Sequence, residues 1–553
     1  MSHHCSPRRA RLAAVAALGV LLAPASLIAQ VTPEESAKML KPAPGLEATL
    51  WASEPMVINP TNMDIDSRGR VWITEGLNYR STHGAAKNFP RHADADKIKI
   101  LEDTDGDGKA DKVTVFADKI WPIPMGLAVE EQYDKAGKYT GCRVFVGNSP
   151  DILVFEDTDG DDKADKRSVL LTGFGGVDSD HGVHGMTLGM DGKLYFTHGD
   201  GCCSYEQDHS HKERNFNVTD KSGRHVWSDQ LANTLRVDRD GRNFEIVADR
   251  QRNNYETALN SFGNIFTSDN DDDGNRGSRV IWVMEGGKYG YRTPGSPRHW
   301  GEDVPGNVPK LVGTGNGSPC GLMVYEGDLF PKEYMGAVLE AEAGPRVINY
   351  FPITRKGAAF RTEHKVMLGS DDPWFRPVDV TAAPDGSVFV ADWYDGGVGG
   401  HAFRDQTTGR IYRIAPKDAK SKKVAYDFGT IPGLIEALKS PVVSTRDAAR
   451  RGLIAQGEDA LGPLKEVVRN SEPAFRARVF WTALQVPGSD FVTSLVQGMT
   501  DKTGRFRELV EPVHREQMVR MLGRDVSRVG QVEGVAPSSV GRRQPARDPR
   551  DGR

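Results

Sequence analysis

Cysteine is scarce in this chain: five occur in 553 residues, the first of them Cys5, and no CxxCH sequence is present. That excludes a c-type haem attached to these residues. Charge of one sign is lacking as well. Lys and Arg number 71 against 76 Asp and Glu, for a net charge of −5 and an isoelectric point near 6.3, which argues against a nucleic-acid partner or a polybasic membrane surface. Beyond the first thirty residues there is no apolar run long enough to cross a bilayer.

What is present starts with the leader. "MSHHCSPRRARLAAVAALGVLLAPASLIAQ" has basic Arg8, Arg9 and Arg11, an apolar stretch from Leu12, and small residues up to Ala29. This is a secretory signal pattern over 1–30, and the interruption at Pro24 argues against an uncleaved anchor. The expectation is an exported, periplasmic or otherwise extracytoplasmic protein without a transmembrane span once the leader is removed. Export permits disulfides among Cys142, Cys202, Cys203 and Cys320. Adjacent Cys202 and Cys203 would pair with each other only under strain, and spacing assigns no partners.

Sixty glycines and 32 prolines imply many turns. Segments such as "NMDIDSRGRVWITE", "GMTLGMDGKLYFTHGD" and "VDVTAAPDGSVFVADWYD" alternate apolar and polar residues around an Asp/Gly turn, then end on a polar or charged residue. Alternation of period two with turn punctuation marks hairpins. About six such units over 45–417 predict a mainly β fold, a six-bladed β-propeller. From Tyr426 the apolar spacing becomes helical, with Pro and Gly at the joints, predicting HEAT-like helix pairs over 426–523; a small helical cap is the plainer alternative. The Arg-, Gly- and Pro-rich stretch 524–553 reads as a disordered tail.

Two acidic segments are near copies, "DTDGDGKAD" (103–111) and "DTDGDDKAD" (157–165). Asp103, Asp105, Asp107 and Asp111, and likewise Asp157, Asp159, Asp161 and Asp165, fall at positions 1, 3, 5 and 9 of an EF-hand-like loop, where oxygen ligands converge on calcium. Thr114 and Ser168 stand where such a loop carries its bidentate Glu. A solvated hairpin turn is the alternative. A third cluster, "SDNDDDGNRG" (268–277), closes a strand.

"GVDSDHGVHGMTLGMDGKLYFTHGD" (176–200) places His181 before a strand hairpin and Asp200 after it. In a propeller a Gly-rich loop followed by a strand and turn could bring both to one face, where a carboxylate that orients an imidazole makes a general base. The sequence alone does not fix that crossing, and a solvated turn histidine is the alternative. This stretch resembles the soluble glucose and sorbosone dehydrogenases, six-bladed propellers that use pyrroloquinoline quinone. The resemblance runs without a gap from Asp180-His181 to Gly199-Asp200 and implies His181 as catalytic base and Asp200 as its partner. "RQRNNYETALNSFGNIF" is similar to that family's cofactor segment and implies Arg252 and Asn253 at the quinone. "SDNDDDGNRG" implies main-chain oxygens of Asn270, Asp271 and Asp272 at a calcium ion, and "WFRPVDVTAAPDGSVFVAD" implies Arg376 as a further cofactor-facing cation. A tricarboxylated quinone needs such cations. The chain departs from the family after Asp200, where "GCCSYEQD" stands, and at Gln251. A wider resemblance, carried by "DTDGDGKAD", "SDNDDDGNRG" and "ADWYD", is to large exported planctomycete and verrucomicrobial proteins described as membrane-bound dehydrogenases, which have a propeller, HEAT repeats and often a cytochrome domain.

The resemblance implies oxidation of a sugar or other alcohol with a separate electron acceptor such as a cytochrome c. The alternatives are a calcium-stabilised module that binds glycans or proteins without catalysis, and metal-dependent hydrolysis of sugar lactones at strand-end acids such as Glu75 and Asp271. His181, His184 and Asp180 would be a candidate transition-metal set. Trp72, Trp282, Trp374 and Trp393 read as inter-blade packing.

Overall fold

In the computed structural model, the described residues are 30–81, 90–201, 216–228, 231–270, 277–294, 300–315, 317–398 and 405–487. The leader, Cys202, Cys203, Asp271, Asp272 and everything beyond residue 487 lie outside them. A repeated Asp/Gly turn starts the hairpin in blades one, two, three and six. In the first, Asp66 Oδ1 accepts the main-chain N–H of Arg68 and Arg70, each at 3.0 Å, and Gly69 takes the left-handed conformation, φ 78°.

Six sheets of four or five strands result, antiparallel but for the short parallel pairing of Gly287–Lys288 with Glu245–Gln251. Each is built on an innermost strand: Pro60–Ile65, Gly126–Tyr133, Val183–Leu188, Asn254–Leu259, Pro319–Val324 and Pro377–Ala382. These strands touch in sequence order and the last touches the first, closing a six-bladed propeller. The strand Leu46–Ser53 pairs antiparallel with Arg410–Pro416, so the N-terminal end completes the last blade and ties the ring shut. Helix α1 (Pro33–Lys38) precedes it, begun by a capping box between Thr32 and Glu35. The blades pack through apolar clusters such as Phe145, Phe174, Phe196, Phe216 and Phe244. Trp72 is fully buried against Phe116.

An innermost strand has one unpaired edge, and its N–H groups face the channel where no sheet partner exists. Side chains from other blades fill that role. Asp379 Oδ2 accepts from Met63 N at 2.6 Å and from Asn62 Nδ2 at 2.7 Å. Asn62 Oδ1 accepts from Leu127 N at 2.6 Å, and Glu256 Oε2 from Leu322 N at 2.9 Å. Glu256 and Asp379 are themselves hydrogen-bonded. Space for this girdle is made by glycine: a Cβ on Gly321 would fall 2.1 Å from Asp379 Oδ1. Tyr255 crosses the channel above it, from blade four to Thr61 O of blade one at 3.2 Å.

Helices α2 (Ile431–Ala437), α3 (Val443–Gln456), α4 (Leu461–Asn470) and α5 (Pro473–Gln485) form a small packed unit, α2 on α3, α4 on α5 and α3 on α5. It covers the end of the ring where the innermost strands finish: Ser444 Oγ donates to Ile65 O at 2.8 Å. Between girdle and α3 lies a cavity of about 60 Å³ lined by Asp64, Thr187, Thr257, Thr381 and Arg446 among others. Among the described residues, no helix is long and apolar enough to cross a membrane.

Candidate functional site

Each innermost strand begins at the face opposite the helical unit, and its antiparallel neighbour ends there. At this face a device recurs. The carboxylate ending the second strand accepts the main-chain N–H of the segment entering the first: Glu75 from Ile58 at 3.0 Å, Asp269 from Arg252 and Asn253 at 2.9 and 3.0 Å, Glu342 from Ser318, and Asp392 from Arg376 at 2.7 Å. These strand-end acids hold the backbone. Glu75 also accepts from Lys99 Nζ at 2.6 Å, so it is not disposed as a ligand for a catalytic divalent ion.

Blades two and three depart from this pattern, and blade two ends its second strand on Asn148. In blade three His198 occupies the strand-end position, opposite Val183, and its Nε2 meets Gly175 O at 3.3 Å. Asp200, two residues further, bonds a side chain instead: its Oδ1 lies 2.7 Å from Nδ1 of His181. Main-chain bonds from Gly199 N to Gly182 O and from Gly201 N to His181 O, 2.9 and 3.0 Å, zip the two segments together. Both side chains are buried. The imidazole is thereby fixed with Nδ1 toward the carboxylate and Nε2 directed elsewhere, the arrangement of an oriented general base.

Asn253 joins them. A Cβ on Gly199 would fall 2.5 Å from Asn253 Oδ1 and 2.7 Å from His181 Cα, and that buried Oδ1 has no hydrogen-bond partner. Arg252 lies beside it, its Nη1 at 3.4 Å from Asn270 O, so the main-chain oxygen proposed for calcium already faces a guanidinium.

Arg376, at the entry to blade six, is on the same face. Its guanidinium donates to Gly397 O and Phe375 O, both at 2.8 Å, and no carboxylate among the described residues lies within 4 Å of it. Burial, reinforced by the neighbouring Arg346, pushes its pKa down. Arg346 projects from the turn between Val338–Glu342 and Val347–Phe351, at φ 64°, with its buried Nε unpartnered. The sequence reading missed Arg346. A lone Arg in "AGPRV" carries no signal until the adjacent blade supplies Arg376.

The proposed transition-metal set does not assemble. Asp180 pairs with Arg80, Nε to Oδ1 at 2.9 Å. Burial alone would raise its carboxyl, but Arg80 and His181 hold it well below the usual range. His184 stacks on Tyr255, ring centres 4.6 Å apart, and burial drives its pKa down to about 3, keeping it neutral. Among the described residues only the two acidic turns gather three possible metal ligands: Asp103, Asp105 and Asp107, and Asp157, Asp159 and Asp165. Asp111 and Asp161 do not belong to these groups. Asp111 instead accepts from Thr104 Oγ1 at 2.7 Å, and Asp161 from Lys163 N at 2.9 Å. Both turns join third and outermost strands, so they lie at the helix-covered end, away from His181. Cys142 and Cys320 are free thiols, so neither takes up the pairing that export would permit between them.

The described chain is thus a six-bladed propeller with an oriented His–Asp pair on one face and, on the same face, Arg346 and Arg376, for which the described residues hold no ion pair. The sequence model of the family described as a domain of unknown function (DUF7133) matches residues 32–418, and the chain belongs to that family. No curated protein matches it. Similar solved structures include the PQQ-bound aldose sugar dehydrogenase of Streptomyces coelicolor, at 13% identity over 68% of this chain and 100% of that one, TM-score 0.44. The apo soluble aldose sugar dehydrogenase of Escherichia coli matches at 13% over 67% and 100%, TM-score 0.41. The PQQ domain of Coprinopsis cinerea pyranose dehydrogenase matches at 12% over 68% and 97%, TM-score 0.43.

Proposed function

We propose that this protein is an exported dehydrogenase that oxidises a hydroxyl of a sugar or related alcohol, with pyrroloquinoline quinone as its cofactor. The observation that carries the reading is the buried His181–Asp200 pair of blade three, where a carboxylate orients an imidazole on the open face. The residues present fit the cofactor. The unpartnered Asn253 Oδ1 asks for a donor, and Arg346 and Arg376 repel each other with only partial offset from Asp392, Asp395 and Asp372. An anionic, tricarboxylated ligand beside Arg252, Asn253, Arg346 and Arg376 would relieve both conditions.

The quinone, when bound, supplies a two-electron acceptor. The chain's own residues supply the rest. His181 Nε2 removes the hydroxyl proton, and Asp200 stabilises the imidazolium that forms and holds the ring in one orientation. Girdle and Tyr255 close the channel below, so substrate enters from the open face. A separate carrier, such as a cytochrome c, takes the electrons onward, and calcium at the acidic turns has a structural role.

The test is to add the quinone and calcium to the purified protein and follow dye reduction with a panel of aldoses. Turnover with saturable quinone binding is expected. Absence of both a bound-quinone spectrum and turnover overturns the reading.

A further inference from the structure

Blade three carries an inserted hairpin, Asn217–Thr219 paired with His225–Trp227. Alternation sends Val218 inward, fully buried, with Phe216 beside it, anchoring the hairpin to the blade. The other face receives Asn217, Thr219, His225 and Trp227, all exposed. Trp227 is 61% exposed, the highest value among the large hydrophobic side chains of the described residues. A polar residue would suit that position equally well for folding, and an indole held in water loses favourable burial.

The hairpin runs along the side of blade three. Its tip is bonded to the turn near the helices, Lys221 N to Gly241 O at 2.9 Å, and its base, with Asn217 and Trp227, is at the His181 face. Asn217 N donates to Gly173 O at 2.9 Å, in the connection that leads to His181. Next to Trp227, Ser228 bonds Asn233, and Asn233 pairs with His198, two residues before Asp200. Around the indole stand a hydroxyl, an amide and an imidazole, with His225 Nε2 meeting Asn217 Oδ1.

We infer that Trp227, Asn217, Thr219 and His225 form a subsite for a neutral pyranose unit of an oligosaccharide. The C–H face of a pyranose carries slight positive charge and stacks on the negative face of an indole, while its hydroxyls find the flanking donors and acceptors. One indole matches one sugar ring. It is far smaller than the ~800 Å² per partner of a specific protein interface, which argues against a second copy or a protein partner. Binding stands without redox chemistry. The further role, anchoring a substrate chain whose end reaches His181, rests on the dehydrogenase reading.

The experiment is affinity measurement with maltohexaose, cellohexaose and laminarihexaose on wild type, Trp227→Ala and His181→Ala, with gel filtration of each. At least one hexasaccharide is expected to bind wild type and His181→Ala equally and Trp227→Ala at least tenfold more weakly. In turnover, Trp227→Ala should raise KM for that hexasaccharide but not for glucose. No hexasaccharide binding to wild type, equal binding by Trp227→Ala, or a change of oligomeric state in Trp227→Ala each overturns the subsite. If binding follows Trp227 while no sugar is oxidised, the subsite stands and the dehydrogenase reading falls.

Discussion

The two ends of the propeller treat charge in opposite ways. At the helix-covered end, charges are matched across the interface. Asp447 of α3 bonds Arg239 of blade three at 2.6 Å and Arg450 at 2.8 Å, while Glu326 receives both Arg446 and Arg478 at 3.1 Å. At the open end, Arg346 and Arg376 face each other without a carboxylate of the described residues in ion-pair reach, and Asn253 Oδ1 and His184 Nε2 are buried without partners among those residues. Folding favours the first pattern, because an uncompensated buried charge is costly. The second is what the proposed quinone site would complete.

The largest expected effect is on turnover at the open end. His181→Ala should lower kcat by about 10²–10⁴-fold, the range of general-base catalysis, with the melting temperature little changed. A variant that unfolds instead would make His181 structural. Next, at the covered end, Glu326→Gln leaves Arg446 and Arg478 without their shared carboxylate and should destabilise by about 3–5 kcal/mol in denaturant unfolding, while the quinone affinity of the folded fraction stays constant. A loss confined to quinone binding would erase the contrast between the ends.

Arg346→Ala should do the reverse. Removing a like charge beside Arg376 leaves stability equal or slightly higher, yet weakens quinone binding, read by absorbance titration, about tenfold, or about 1.4 kcal/mol. Unchanged binding would detach Arg346 from the site.

The girdle gives a pH test. Burial raises the Asp379 carboxyl to about 7, so the folded chain holds a proton that the unfolded chain releases near pH 4. This group's contribution is full below about pH 4 and is lost as pH rises to about 7. His184 and His198, pushed down to about 3 and about 4 by burial, act oppositely, so the comparison must be between variants. Asp379→Asn should remove about 1.4 kcal/mol per pH unit of the fall in stability between pH 5 and 6.5. Identical slopes would contradict the shared-proton girdle. The smallest effect is expected at the acidic turns. Asp103→Asn with Asp157→Asn should abolish a calcium-dependent rise in melting temperature of about 2–4 °C, leaving sugar binding at Trp227 unaffected.

The alternation in "NMDIDSRGRVWITE" and its relatives made the hairpins legible, since a strand that buries one face must repeat every second residue. His181 and Asp200 were legible for a related reason: the start of one strand and the end of its antiparallel neighbour always share a face. Glu75, Asp269 and Asp200 looked alike in sequence, but Glu75 and Asp269 accept main-chain N–H groups at a strand entry, whereas Asp200 meets the His181 ring. In the acidic turns the spacing suggested four ligands each; the structure gathers three in each, leaving out Asp111 in one and Asp161 in the other.

By itself, then, the sequence determined the period, the number of blades and the local meeting of an imidazole with a carboxylate, because those depend on contacts within one hairpin or between adjoining ones. The tertiary structure alone decided the girdle of Asn62, Glu256 and Asp379, the pairing of Arg346 with Arg376, and the sealing of the channel by α3. Those groups are brought together by closure of the ring. Residues 317 positions apart, such as Asn62 and Asp379, become hydrogen-bond partners only once six blades have packed edge to edge and left their innermost N–H groups without sheet partners.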